Sequence, residues 1–445
     1  MEYRAIAHEA SPEEYRALPR FNMDRRPIAQ RHILRPLSWI LSYPDCRRHK
    51  LKIEKRGMEG MKPPFILICN HSSFLDFKVT TMALFPWRSS YVVAIDGFIG
   101  REWILRQVGG ILKRRVTTDV RLVRHLRTAL REQKLIVSIY PEARYTLIGT
   151  PSILPESLGK LVKMSKVPVC VLKMHGNYLT SPVWNLADRG CPIEAELFKL
   201  YGAEEVRELS VEAINEGIRD ALSYDEYAWQ RERGILIDYP DRAKGLHHVI
   251  YHCPACGAQH RMDSARDQIW CGSCGKRWAM GVDGAMRALS GATEFPHLPD
   301  WFAFQRAAVR EEVRSGKYRF EDEVRVESLV NKRGYWNLGT ARLTHTLEGF
   351  RMEGDPAYLP EPVVRKPLSM YSCHVEYDYF GKGDCFDLST LHDTFYVYPL
   401  TKRNVVTKIL LATEEIYIKA DEESKKAAKQ AAPEKIRSSS SAPGR

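Results

Sequence analysis

Long apolar runs are missing from this sequence. No stretch approaches the ~18 consecutive apolar residues that a helix needs to cross a bilayer, which excludes a multi-span membrane protein. The first twenty residues carry Glu2, Glu9, Glu13 and Glu14 and no apolar core of the secretory-signal kind, so no such leader is expected. Compositional bias is also missing. With 44% hydrophobic and 27% charged residues, a wholly disordered chain is excluded. No fixed-period repeat is present. A disulfide framework is absent too: of ten cysteines, four form one tight pattern and the rest are scattered. That distribution points to a metal site in a reducing, cytoplasmic compartment.

What is present is length and positive charge. At one domain per ~150 residues, 445 residues suggest two to four domains. The 67 basic residues outnumber 55 acidic ones, for a net charge of +12. The surplus suits a polyanionic partner: nucleic acid, an anionic membrane face or phosphorylated small molecules. Within residues 20–56, eleven basic residues face three acidic ones. Ile33, Leu34, Leu37, Ile40 and Leu41 recur there at helical spacing, with Trp39 and Tyr43 nearby. Such a segment lies in a membrane interface or packs as a short helix on its own domain.

From residue 65 to 171, strand-like runs (65–69, 91–95, 135–140, 167–172) alternate with helical ones. Residues 119–132 form an amphipathic helix, with Thr118 or Asp119 as cap and Leu122, Val123, Leu126 and Leu130 as stripe. A second helix is expected over 210–222, with Ile214, Ile218 and Leu222 on one face. The alternation indicates an α/β domain over residues 35–235, after an N-terminal extension of residues 1–34. Residues 300–420 contain period-two segments (341–346, 374–379, 394–398) and read as a β-rich C-terminal domain. Residues 421–445 are rich in Lys, Glu, Ala and Ser, contain no aromatic residue and are expected to be a disordered tail.

The first chemical signal is Asn70-His71-Ser72-Ser73-Phe74-Leu75-Asp76, directly after the 65–69 strand. On a continuous helix His71 and Asp76 would not share a face. At a loop entering a helix, the carboxylate can fold back onto one imidazole nitrogen, fixing the tautomer. The other nitrogen can then take a proton from a hydroxyl. The bland alternative is a capping histidine beside a surface aspartate.

This block, Asn-His-x-x-x-x-Asp, resembles the first motif of the glycerolipid acyltransferases of the 1-acylglycerol-3-phosphate acyltransferase type. Residues 97–101 (GFIGR), running on to 109–115 (GGILKRR), resemble the second motif. Residues 140–144 (YPEAR) resemble the third, with Ala143 where the family prefers glycine and Arg144 one residue early. Residues 167–171 (VPVCV) resemble the fourth, without its second proline. The resemblance covers about residues 35–230 and implies transfer of a fatty acyl group from acyl-CoA or acyl carrier protein to a glycerolipid hydroxyl. It makes His71 the general base and Asp76 its orienting partner. It makes Arg115, Glu142 and Arg144 acceptor ligands, the arginines through bidentate contacts to phosphate. Lys113 and Arg114 are expected to be solvated surface charges.

Cys253, Cys256, Cys271 and Cys274 form two C-x-x-C knuckles, each followed by glycine, within residues 247–282. This spacing is that of a zinc ribbon, and four thiolates leave no open position on the metal, so the zinc is structural. His252 and His260 are bystanders. Zinc ribbons also bind nucleic acid, but between Cys253 and Cys274 the basic residues are only Arg261 and Arg266, against Asp263 and Asp267. Residues 101–131 instead carry nine basic residues against two acidic ones, which favours phosphorylated lipid and an anionic membrane over nucleic acid.

The expected architecture is therefore a glycerolipid acyltransferase-like α/β domain, a small zinc ribbon and a β-rich C-terminal domain. The expected activity acylates a lysophospholipid, most simply 1-acylglycerol-3-phosphate to phosphatidic acid, on the inner membrane face. The alternatives are another acceptor, such as glycerol 3-phosphate or an aminolipid, and a non-catalytic zinc-ribbon scaffold.

Overall fold

A computed structural model describes residues 6–438. The first sheet has seven strands: β1 (Lys52–Arg56), β2 (Ile66–Cys69), β3 (Ser89–Ala94), β4 (Gly110–Lys113), β5 (Ile136–Ile139), β6 (Val169–His175) and β7 (Glu194–Tyr201). Their order is β1-β7-β6-β2-β5-β3-β4, with β6, β2, β5, β3 and β4 mutually parallel and β7 antiparallel to β6. The central β2 is buried at all four positions. A parallel strand covered on both faces needs a continuous apolar run, and 65–69 supplies one. Strands β1 and β7 escape sequence reading because their charged residues alternate at a half-exposed edge.

Helices cover both faces. Asp119 caps Val120–Arg127 by accepting from Arg121 N, and a π-helical turn, Thr128–Glu132, continues it. Ser210 caps Val211–Ala221 by accepting from Ala213 N. Among the described residues no helix is long and apolar enough to cross a membrane.

The knuckle region folds as a four-stranded meander: β8 (Met262–Ala265), β9 (Gln268–Cys271), β10 (Arg277–Met280) and β11 (Met286–Ala288). It is tied to its neighbours by backbone and side-chain bonds. Ala243 N donates to Arg266 O (2.7 Å), Trp301 Nε1 to His252 O (2.8 Å), and His260 Nδ1 meets Asn404 O (2.9 Å).

The helix Leu298–Arg314 leads into a second seven-stranded sheet, antiparallel throughout. Its strands are β12 (Phe320–Asn331), β13 (Gly334–Thr346), β14 (Gly349–Gly354), β15 (Val363–Arg365), β16 (Val375–Glu376), β17 (Cys385–Ser389) and β18 (Thr394–Pro399), in the order β15-β14-β13-β12-β18-β17-β16. Only two of the six residues in 374–379 pair as strand, because a 3-10 turn at Tyr379–Gly381 breaks the run. The N-terminal extension straps onto this sheet: His8 N donates to Tyr335 O, Phe21 N to Val330 O, and Tyr15 Oη to Ser328 Oγ. One apolar core runs through Tyr178, Trp278, Trp301 and Ile409, joining the α/β region, the knuckles and the C-terminal part.

The tail departs from expectation. A helix spans Val406–Ser438, so residues 421–438 are helical rather than disordered; residues 439–445 lie outside the described ones. Its residues 422–430 are exposed, so little apolar burial supports it. High helix propensity of Ala, Glu and Lys, with the i,i+4 pairs Lys419–Glu423 and Asp421–Lys425, sustains it instead.

Candidate active site

The carboxyl ends of adjacent parallel strands form the crevice where α/β sheets place their chemistry. His71 follows β2, and Glu142 and Arg144 follow β5. Asn70 fixes the first loop: its Nδ2 donates to Met174 O (2.8 Å) and its Oδ1 accepts from Met174 N (2.9 Å), so the side chain extends the β2–β6 pairing by one rung.

The loop then turns the Asp76 carboxylate back onto the imidazole. Asp76 Oδ2 accepts from His71 Nδ1 at 2.8 Å and from the amides of Ser72 (2.6 Å) and Ser73 (3.1 Å). Its Oδ1 accepts from Asn177 Nδ2 at 2.6 Å. The carboxylate is fully buried and holds four donors, so its position is over-determined. A carboxylate can only accept, so the proton sits on Nδ1 and the lone pair on Nε2. Tyr140 and Tyr145 flank the ring, each with its centroid 4.5 Å away. The His71 side chain keeps 24% of its surface exposed, enough for a substrate hydroxyl to reach Nε2.

Glu142 lies beside this pair. Its carboxylate accepts from His71 N and from Ser152 N, both at 3.1 Å, and so ties the β2 loop to the β5 loop. Burial pushes its carboxyl above the ordinary range. Ala143, next in line, has a φ of +57°, the left-handed region that favours glycine. The conformation characteristic of glycine is thus kept at this position without glycine.

The two arginines are brought close to the site, but each is already occupied. Arg144 Nη2 donates to Glu414 Oε1 (3.0 Å) and its Nη1 to Tyr145 O (3.2 Å), and the whole side chain is buried. Burial works to raise the Glu414 carboxyl, but Arg306 and Arg144 outweigh it and hold it below the usual range. Arg115 Nη2 donates to Asp96 Oδ2 (3.0 Å) and its Nη1 to Asp387 Oδ2 (3.3 Å) and Tyr396 Oη (3.4 Å). Burial opposes its charge, yet Asp96, Tyr396 and Asp387 keep the guanidinium firmly protonated. Lys113 and Arg114 are not solvated. Arg114 is 1% exposed and donates to Thr394 Oγ1, and Lys113 Nζ is held by Thr117, its pKa pulled down to about 8 by burial. The second sheet packs over Arg114 and removes it from water, while Lys113 stays half-buried beside Thr117.

Sequence reasoning missed the second half of this site. Asp387, Glu376, His374 and Glu414 come from the C-terminal part, Asp387 and Glu414 some 270 residues from Arg115 and Arg144, and no local pattern marks them.

The cysteine knuckles fit a metal. The Sγ atoms of Cys253, Cys256, Cys271 and Cys274 all lie within 4.8 Å of one another, with Cys253–Cys274 and Cys256–Cys271 at 3.8 Å. A tetrahedron with Zn–S bonds of about 2.3 Å has edges of about 3.8 Å. Gly257 and Gly275 take φ of +73° and +75°, and Ser273 N donates to Cys271 Sγ at 3.4 Å. Neither His252 nor His260 joins the group.

Residues 50–172 match the family model described as Acyltransferase. No curated protein matches the chain. Among solved structures, the chain is similar to the 1-acyl-sn-glycerophosphate (LPA) acyltransferase PlsC from Thermotoga maritima, at 15% identity and a TM-score of 0.35, covering 42% of this chain and 78% of that one.

Proposed function

From a chain whose residues 50–172 are an acyltransferase-family domain, we propose an enzyme that moves a fatty acyl group from a thioester to a lipid hydroxyl. The observation that carries this reading is the His71–Asp76 pair, with Nδ1 bound to a buried carboxylate and the imidazole side chain 24% exposed.

The step follows from that pair. Nε2 takes the proton of the acceptor hydroxyl as its oxygen bonds to the thioester carbonyl carbon. The imidazolium that forms is stabilised across 2.8 Å by Asp76. The tetrahedral intermediate collapses, the C–S bond breaks, and the departing thiolate takes the proton from Nε2. No acyl-enzyme is needed. The donor is acyl-CoA or acyl carrier protein.

For the acceptor, motif resemblance favours 1-acylglycerol-3-phosphate, with Arg115, Glu142 and Arg144 as its ligands. The engagement of both arginines by carboxylates supports the alternative of another lysolipid headgroup. The enzyme would work on the inner face of an anionic membrane. In the helix Leu34–Arg48, Ile33, Leu37, Ile40 and Leu41 are 46–76% exposed, and Phe74, three residues after His71, is 61% exposed. Arg31, Arg47 and Arg48 flank this apolar face. The four cysteines would hold a structural zinc that pins the ribbon between the two sheets.

The test is an acylation assay on purified protein, with a panel of lysolipid acceptors, both thioester donors and anionic vesicles. Transfer to at least one acceptor is expected. A folded protein that acylates none would leave the scaffold reading.

A further inference from the structure

Five side chains from opposite ends of the chain converge beside His71. Asp96 follows β3 and Arg115 follows β4; His374 precedes β16, Glu376 lies on it, and Asp387 lies on β17. The Tyr145 hydroxyl, on a ring packed against His71, is within electrostatic reach of Asp76, Glu376, Asp96 and Arg115. His374 is likewise within reach of His71, Arg115 and Arg144. This corner therefore lies within electrostatic reach of His71 and holds Arg115, the arginine of the second motif.

Its charge is of the wrong sign for a phosphate. Three carboxylates, Asp96, Glu376 and Asp387, surround one guanidinium. Two of them already take up both arms of Arg115, at 3.0 and 3.3 Å. Among the described residues Glu376 has no guanidinium or ammonium within ion-pair distance: it lies 3.4 Å from His374 Nε2, feels Arg115 at longer range, and keeps 19% of its side chain exposed. His374 is 4% exposed, and burial and the nearby arginines hold its pKa far below the ordinary value, so it stays neutral. Its Nδ1 is buried without a hydrogen-bond partner. Arg144, the other candidate phosphate ligand, is already held by Glu414, which it shares with Arg306. A buried acid without a close cation stays protonated, and a cation from outside the chain would ionise it.

We propose that this corner is the acceptor headgroup subsite, that Glu376 is its recognition residue, and that it selects a lysolipid bearing an amine over one bearing a phosphate. The proposal rests on the acyltransferase reading of His71 and deepens it by naming the acceptor class. The C-terminal sheet thus completes the active site and sets its specificity. An ammonium docked at Glu376 gains a charge-assisted hydrogen bond. A phosphate there meets the charges of Asp96 and Asp387, while Arg115 is already held by both. Burial has already pushed the Glu376 carboxyl up to about 8 and the Asp387 carboxyl up to about 6, and a bound cation would bring both down.

The experiment uses the full chain and three ether lipids of one chain length, each with a free 2-hydroxyl: 1-O-alkyl-3-aminopropanediol, 1-O-alkylglycerol and 1-O-alkylglycerol 3-phosphate. Wild-type kcat/KM should be at least about tenfold higher for the amine than for the phosphate. Glu376→Gln should raise KM for the amine about tenfold while leaving the neutral alkylglycerol within about twofold. Equal or faster turnover of the phosphate overturns the proposal. Binding of the same lipids to His71→Ala, read by calorimetry, decides selectivity without turnover. Tighter amine binding there with no wild-type turnover of any lipid would refute the acyltransferase reading alone. Tighter or equal phosphate binding would refute the headgroup proposal alone.

Discussion

Replacing Asp76 by asparagine separates orientation from charge at the proposed base. The structure makes room for the amide. Its oxygen can still accept from His71 Nδ1, Ser72 N and Ser73 N, in place of Asp76 Oδ2. Its nitrogen would then meet Asn177, whose Oδ1 is buried without a partner and can accept after a side-chain flip. The hydrogen-bond pattern, the tautomer and the fold are thereby preserved. What disappears is one negative charge 2.8 Å from the ring that becomes cationic. At an effective dielectric near 20, charges about 4 Å apart interact by about 4 kcal/mol. Losing most of that raises the barrier by about 3–4 kcal/mol, or about 10²–10³ in kcat. The assay is steady-state acyl transfer at saturating acceptor, beside a thermal melt. Asp76→Asn should lower kcat by that factor, with Tm and acceptor KM nearly unchanged. A variant that keeps wild-type kcat, or that loses activity only in proportion to lost Tm, would refute the charge role.

Three other expectations follow from single residues. Ala143 sits at φ +57°, so Ala143→Gly relieves about 1 kcal/mol of strain against a similar entropic cost; its Tm should hold or rise, and a loss of several degrees would contradict the left-handed assignment. Burial raises the folded pKa of Glu376 to about 8, well above its unfolded value, so the folded state binds the extra proton and stability falls as pH rises from about 5 to 8, by up to ~1.4 kcal/mol per pH unit. Asp387, its carboxyl raised to about 6, adds to the lower part of that window, with Arg115, Asp96 and His374 facing both groups. Glu376→Gln should flatten the slope above pH 6 in urea titrations, and an unchanged slope would show that Glu376 is not the group titrating. Metal analysis should find about one zinc per chain, and chelation should lower Tm, because the knuckles share their core with Trp301 and Ile409. A metal-free protein with an unchanged melt would remove zinc from the account.

Much of the site was legible where the chemistry is local. The pair of His71 and Asp76 falls within six residues behind a buried strand, and the order of the four motif-like blocks, rather than the spacing by itself, singled it out. The four cysteines were equally plain, since their ligand geometry is written in two short loops. The central strands were legible because double-sided burial demands unbroken apolar runs, whereas β1 and β7 carry too much charge to announce themselves. The arginines were found but their partners were not. Arg115 reads as a free cation until Asp387 arrives from a strand 272 residues away, and Arg114 reads as a surface charge until the second sheet covers it. Long-range electrostatic pairing leaves no period in a sequence. The tail shows the converse: its lack of apolar surface was read correctly, but intrinsic helix propensity and i,i+4 pairs suffice to extend the Val406–Ser438 helix through it.

The central claim is that His71 is the base that removes a proton from a lipid hydroxyl. The most direct measurement is mass-spectrometric detection of a labelled acyl chain transferred from thioester to lysolipid, comparing wild-type protein with His71→Ala of equal Tm. The account predicts transfer by the wild type and a loss of at least about 10³ in the variant. Undiminished transfer by His71→Ala would contradict it.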